Sequence, residues 1–253
     1  MPKHCRTRIG LLALIIHLTA GVLTLSGQGL VTDRPDFTES AVTVPKGFVQ
    51  FEGGQTLTDL PGDRREWVIG EPLFRVGLDE NIELRIGAPS YVLAGNGRSH
   101  DGFGDASVGA KVQLGPVDGT DLAAIVSTSV PVGEEPFSSD EFDPTVILTG
   151  GRALNEEVGL GAQIVFASVS DGSDRALEWG GTVVVSTSIS ARSSIFGELA
   201  LTVPESGSAP LVAHTGIVYA STDRFQLDVH GGFGLNDSAP DVFLGAGLAA
   251  RVD

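Results

Sequence analysis

The sequence predicts an all-β fold: an up-and-down antiparallel transmembrane β-barrel of about 12 strands. Three observations carry that expectation. Apolar and polar residues alternate with period two in run after run of about ten residues. Long and short connections alternate between the runs, as expected of a barrel with loops at one rim and tight turns at the other. The only long apolar stretch sits at the N-terminus and has the layout of an export signal, with no helical span after it.

That stretch is the first element. Lys3, Arg6 and Arg8 form a basic start, Ile9 to Leu25 is almost wholly apolar, and small residues follow at Ser26, Gly27 and Gly29. Residues 1–29 are read as a signal peptide. Its removal takes away three basic residues, no acid and the sole cysteine, Cys5. The exported chain then has neither a disulfide framework nor a thiolate. The full chain of 253 residues already carries a net charge of −16, which excludes a nucleic-acid partner because phosphates need Lys and Arg. No cofactor motif is present.

Residues 30–46 form an N-terminal segment rich in polar and turn residues. Two placements stand open: a plug folded into the lumen, with Arg34 and Asp36 meeting a charged wall, or a periplasmic tail. Residues 47–253 form the barrel domain, in segments 47–58, 65–78, 82–92, 103–114, 121–132, 143–154, 157–169, 175–189, 193–204, 209–221, 224–235 and 240–252. The pattern is plainest at 224–235, where Phe225, Leu227, Val229, Phe233 and Leu235 share one face and Arg224, Gln226, Asp228 and His230 the other. In hydrocarbon every backbone N–H and C=O must be paired, which a closed sheet achieves. The apolar face then meets outer-membrane lipid and the other face lines the lumen. A soluble sandwich shows the same alternation with the apolar set inside, so a secreted β-protein remains an alternative.

Alternation places Glu52, Glu71, Arg75, Glu83, Arg85, Asp105 and Lys111 on the inward face of the first four segments. They are the candidate lumen-lining and selectivity residues, since acid and base on neighbouring strands pair across the ladder and lumenal charge tunes what passes. An alternative role is to fill the lumen and hold register. No enzyme is expected. There is no HExxH, GxSxG or phosphate loop, and His214 and His230, both inward on neighbouring strands, do not by themselves make a catalytic group. The acidic loop with Glu134, Glu135, Asp140, Glu141 and Asp143 lacks an ordered calcium-ligand spacing and reads as solvated.

The opening Thr32-Asp33-Arg34-Pro35-Asp36-Phe37-Thr38-Glu39-Ser40, followed by Val44-Pro45-Lys46-Gly47, Gln50 and Glu52, resembles that of the MetA-pathway-of-phenol-degradation family. Phe74 to Leu78 with Asn81 to Ile86, and Gly102 to Asp105 running into Val108 to Lys111, are similar to further family features. The resemblance implies an outer-membrane β-barrel of the transporter type. Asp33, Arg34, Pro35 and Asp36 are the motif residues that it singles out. Taken together, the expectation is a passive channel in a bacterial outer membrane for small hydrophobic or aromatic solutes. Its partners would be lipid, the barrel assembly machinery and the solute. A non-conducting structural or surface-interaction barrel is the other membrane reading.

Overall fold

The computed structural model describes residues 29–95, 99–171 and 174–253, so the signal-peptide assignment lies outside the described residues apart from Gly29. The strands are β1 (Val49–Leu60), β2 (Arg64–Asp79), β3 (Ile82–Gly87), β4 (Tyr91–Gly95), β5 (Ser99–Phe103), β6 (Ala106–Val117), β7 (Thr120–Val130), β8 (Pro144–Ala153), β9 (Val158–Asp171), β10 (Asp174–Ser190), β11 (Ser193–Val203), β12 (Leu211–Thr222), β13 (Phe225–Gly234) and β14 (Val242–Val252). Each pairs antiparallel with its neighbours. β1 pairs with both β2 and β14, which closes the sheet.

Fourteen strands make twelve staves. β3 and β4 both pair with β2, and they are met by β6 and β5 respectively. The third and fourth staves are therefore each broken once, where the sequence suggests continuous strands. Ala88-Pro89-Ser90 interrupts the third because proline cannot donate to the ladder. Gly104-Asp105 interrupts the fourth. Backbone bonds from Ala88 N to Pro72 O and from Gly104 N to Ser90 O, both 2.9 Å, carry the sheet across the gaps.

Both barrel ends lie at the rim of short turns, the periplasmic side of such a barrel. Asp118-Gly119 is one of the two-residue turns at this rim. Both residues have positive φ, +49° and +77°, as a type I′ two-residue hairpin requires. The opposite rim carries the longer connections 131–143, 204–210 and 235–241.

The burial pattern is that of a membrane barrel and not of a soluble sandwich. Leu177, Leu244 and Val126 are 70%, 63% and 58% exposed on the outer face, whereas Gln50, Arg75, Glu83 and Lys111 are fully buried inside. Exposed aliphatic side chains recur on strands all round the wall. Lipid tolerates this arrangement and water does not. Trp67 and Trp179 lie outward toward the long-loop rim and Tyr219 toward the short-turn rim, where amphipathic rings favour the interface.

Candidate functional site

The inward side chains meet residues 30–46. This segment runs inside the barrel and bonds to its wall almost all the way round. One half of the wall supplies charge. Arg75, on β2, donates from Nε and Nη2 to the two oxygens of Glu83 on β3, at 2.9 and 3.0 Å, and from Nη1 to Glu52 Oε1 on β1 at 2.8 Å. The same guanidinium donates to Val42 O of the segment at 2.9 Å. Lys111, on β6, donates to both oxygens of Asp33, at 2.8 and 2.9 Å. Arg85, on β3, bridges Asp33 and Glu39, binding both Glu39 oxygens at 2.9 Å. The wall carboxylates in turn accept from the segment's backbone: Glu52 from Asp33 N and Arg34 N, each 3.0 Å, and Glu83 from Val44 N at 2.8 Å. Unpaired, these charges would cost several kcal/mol each to bury; here each has opposite charge and further hydrogen bonds around it. Burial alone would raise the Asp33 carboxyl, but Arg75, Lys111 and Arg85 outweigh it and hold the group well below the usual carboxylate range.

The opposite half of the wall holds the segment with neutral groups and one acid. Glu198, on β11, accepts from Phe37 N at 2.9 Å, Thr38 N at 2.8 Å and Thr38 Oγ1 at 2.6 Å. Gln163, on β9, accepts from Glu39 N at 2.8 Å and donates to Phe37 O at 2.7 Å. Thr38 and Thr182 hydroxyls are 2.5 Å apart. His214 Nδ1 lies 2.8 Å from Glu198 Oε2, and its Nε2 lies 3.0 Å from His230 Nδ1. The Phe37 ring packs on His214 with centroids 4.4 Å apart. Burial and the nearby Glu198 carboxylate push the Asp36 carboxyl up to about 8.

Between these halves Arg34 donates to Glu71 at 2.9 Å and Asp228 at 3.3 Å. A bulge in β2 at Gly70-Glu71, with positive φ at both, turns the Glu71 carboxylate to Arg34 and to Thr56 Oγ1, 2.7 Å away. Gly54 and Gly247 leave room for the guanidinium, since a Cβ at either would collide with it.

Of the residues singled out from sequence, Glu52, Arg75, Glu83, Arg85 and Lys111 thus meet in one buried cluster around Asp33, and Glu71 meets Arg34. Asp105 stands apart. It accepts from Gly133 N, Ser138 Oγ and Ser139 N at 3.0, 2.7 and 3.0 Å, so it ties down the 131–143 loop. Asp36 makes no side-chain hydrogen bond to the wall among the described residues. Pro35 is buried within the segment. Sequence reasoning passed over Glu39, Gln163, Thr182 and Glu198. Alternation along β9, β10 and β11 already places the last three inward, but nothing local says that they have a chain to hold.

Two cavities flank the segment. One, of about 370 Å³, lies toward the long-loop rim, with Phe37, Gln163 and Thr182 at its inner end. The other, of about 570 Å³, lies toward the short-turn rim, lined by Asp36, Thr38 and Glu39 and by Gly151, Gly161 and Val184 of the wall. Phe37, Thr38 and Glu39 stand between them.

A family model described as "Putative MetA-pathway of phenol degradation" matches residues 32–252. The chain belongs to this family. Among solved structures this MetA-pathway barrel is similar to the COG4313 outer membrane channel from Pseudomonas putida F1, at 15% identity and a TM-score of 0.59, over 84% of this chain and 98% of that one. It is also similar to the NanC porin (10% identity, TM-score 0.57, 81% of this chain and 100% of that one) and the KdgM porin (9%, 0.55, 81% and 99%). No curated protein matches it. At these identities the likeness is one of fold, and the fold is that of outer-membrane channels and porins. The MetA-pathway chain accordingly has the β-barrel fold of outer-membrane channels and porins, with its apolar face outward as lipid requires.

Proposed function

We propose that the protein passes small hydrophobic or aromatic solutes across the outer membrane by passive diffusion, and that residues 30–46 are its plug. One observation carries this reading: the segment bonds to the wall on both sides of the lumen and divides two cavities that otherwise share the same stretch of wall, β9 and β10. The charged half, around Asp33, anchors the plug. The part that moves is the stretch from Asp36 to Thr38, because fewer ionic contacts hold it than hold Asp33 and Glu39, the latter clasped by Arg85. The family's association with phenol degradation supports an aromatic solute, and so does a cavity lined in good part by apolar residues, among them Phe37, Val165, Ala200 and Val212. We assign Glu198, His214 and His230 to holding the plug and not to catalysis, because Glu198 is already engaged by Phe37 and Thr38. Insertion by the barrel assembly machinery completes the reading.

The test is a reversible lock. Thr38→Cys with Thr182→Cys places two thiols at a close side-chain contact between plug and wall, in a chain whose only native cysteine is Cys5. Oxidised protein in planar bilayers is expected to show conductance at least tenfold below that of the reduced protein. Equal conductance in both states refutes the moving plug. No conductance from either, nor from protein lacking residues 30–45, favours the non-conducting barrel.

A further inference from the structure

Glu178 is a charged group without a partner. It points inward from β10, four residues beyond Thr182 toward the long-loop rim, and lines the outer cavity. Among the described residues its carboxylate has no hydrogen-bonding or ionic partner, although nearly every other inward acid of the lumen is bonded. Among the described residues no Lys, Arg or His lines that cavity, and Glu178 is the one charged side chain that does. Apolar side chains make up much of the remaining wall, with Val165 on β9, Ala200 on β11, Val212 on β12 and Phe37 at the inner end, beside the hydroxyl of Thr202. Gln163 and Thr182 are polar, but both are occupied by the plug. The carboxylate of Glu178 is thus the principal unspent acceptor facing an apolar chamber.

We propose that the outer cavity is a solute-binding site for a single aromatic ring bearing a hydrogen-bond donor, neutral or cationic, with Glu178 receiving that donor, and that it turns away aromatic carboxylates. The inference rests on the channel reading and names its solute class. The size fits: an apolar cavity of about 150 Å³ suffices for benzene, so about 370 Å³ holds a substituted ring. Binding sites of this kind are apolar chambers with few, well-placed polar groups. The approach fits as well. The connections at this rim carry Glu134, Glu135, Asp140, Glu141, Glu205, Asp237 and Asp241, and a surplus of one sign raises the local concentration of the other. An anion would meet that field, which Arg175 offsets only in part beside Glu141 and Asp143, and then a carboxylate with no cation among the residues that line the cavity.

The experiment is calorimetric titration of the folded full barrel in detergent with three ring probes that differ in head group: benzylamine, benzyl alcohol and benzoate. Benzylamine is expected to bind tightest, benzyl alcohol measurably, and benzoate at least tenfold more weakly than benzylamine. Glu178→Gln is expected to bring benzylamine to the level of benzyl alcohol while leaving the heat-modifiable gel mobility of the barrel unchanged. Ala200→Phe, which fills the chamber, weakens all three. Benzoate binding within threefold of benzylamine, an unchanged order in Glu178→Gln, full binding in Ala200→Phe, or no binding of any probe overturns the proposal. Conductance measured in parallel separates the two readings. A barrel that conducts but binds no probe loses the site and keeps the channel. One that binds in the expected order but does not conduct keeps the site and loses the channel.

Discussion

The Arg34 guanidinium occupies the space that Gly247 leaves by having no side chain. Gly54 makes the same room on the adjoining strand, and there Arg34 reaches Glu71 and Asp228. Gly247→Val is therefore expected to expel Arg34 without disturbing the outward face of β14. Two charged hydrogen bonds would be lost, each worth about 1.5–3 kcal/mol. The check is limited proteolysis of folded protein: cleavage within residues 30–46 should become faster while the barrel stays intact.

Glu198 accepts three hydrogen bonds from Phe37 and Thr38. Glu198→Ala leaves those donors without their acceptor, at about 1–3 kcal/mol for each one left buried. Open-channel current is expected to rise severalfold, because Asp33 still anchors one end of the plug while Phe37 and Thr38 come free. Glu198→Gln should give a smaller rise, since one amide oxygen can still accept. Single-channel recording of the two variants against the parent checks the order.

Asp36 gives the plug a pH dependence. Its carboxyl is pushed up to about 8 when docked, against roughly 3.9 when free. Between those values the docked state holds one proton more than the released state, so rising pH favours release across that window and has no further effect above it. Conductance is expected to climb from pH 4 to pH 8 and then level. Asp36→Asn should lessen the slope and leave the share of Glu39, whose carboxyl burial also pushes up to about 8, and an unchanged slope in that variant would show that another group is responsible.

Asp33 has the opposite sign. Arg75, Lys111 and Arg85 hold it below the usual range, so its contribution is complete above about pH 3.9 and is lost only as pH falls through its docked value. Asp33→Asn leaves Lys111 and Arg85 short of a buried counter-charge. Breaking a buried pair from one side costs about 3–5 kcal/mol. Denaturant titration at pH 7 is expected to show that loss, with the difference from the parent shrinking below pH 3.

Phe37 closes the inner end of the outer cavity, with Thr38 and Glu39 behind it toward the other one. Phe37→Ala is expected to join them and to raise the largest solute that passes in a liposome-swelling series. An unchanged cut-off would place the constriction elsewhere.

Most of the wall was legible in the sequence because its causes are local. A strand with lipid on one side and a polar lumen on the other must alternate, so Leu227 and Val229 can be told from Asp228 and His230 by position alone. Pro89 and the Asp118-Gly119 turn act through their own backbones, although the break at Pro89 was not separated from an ordinary strand. The lumen was legible only as a list of inward residues. Asp105 has the same parity as its cluster neighbours, yet it bonds to Ser138 and Ser139, because the stave is broken beside it and the loop folds over the break. Glu198 and Thr38 are 160 positions apart, and no spacing rule links them.

The sequence by itself determined the number of staves, the lipid-facing side of the wall, the rim asymmetry and the family, all of which follow from period-two geometry and short motifs. Only the tertiary structure decided that Asp33 sits among Arg75, Arg85 and Lys111, that Phe37 stands between two chambers, and that Glu178 faces one of them unpaired. Closure of the sheet sets those neighbours. It brings strands from opposite ends of the chain around one lumen, and the partners of an inward side chain are then chosen by position across that lumen and not by distance along the sequence.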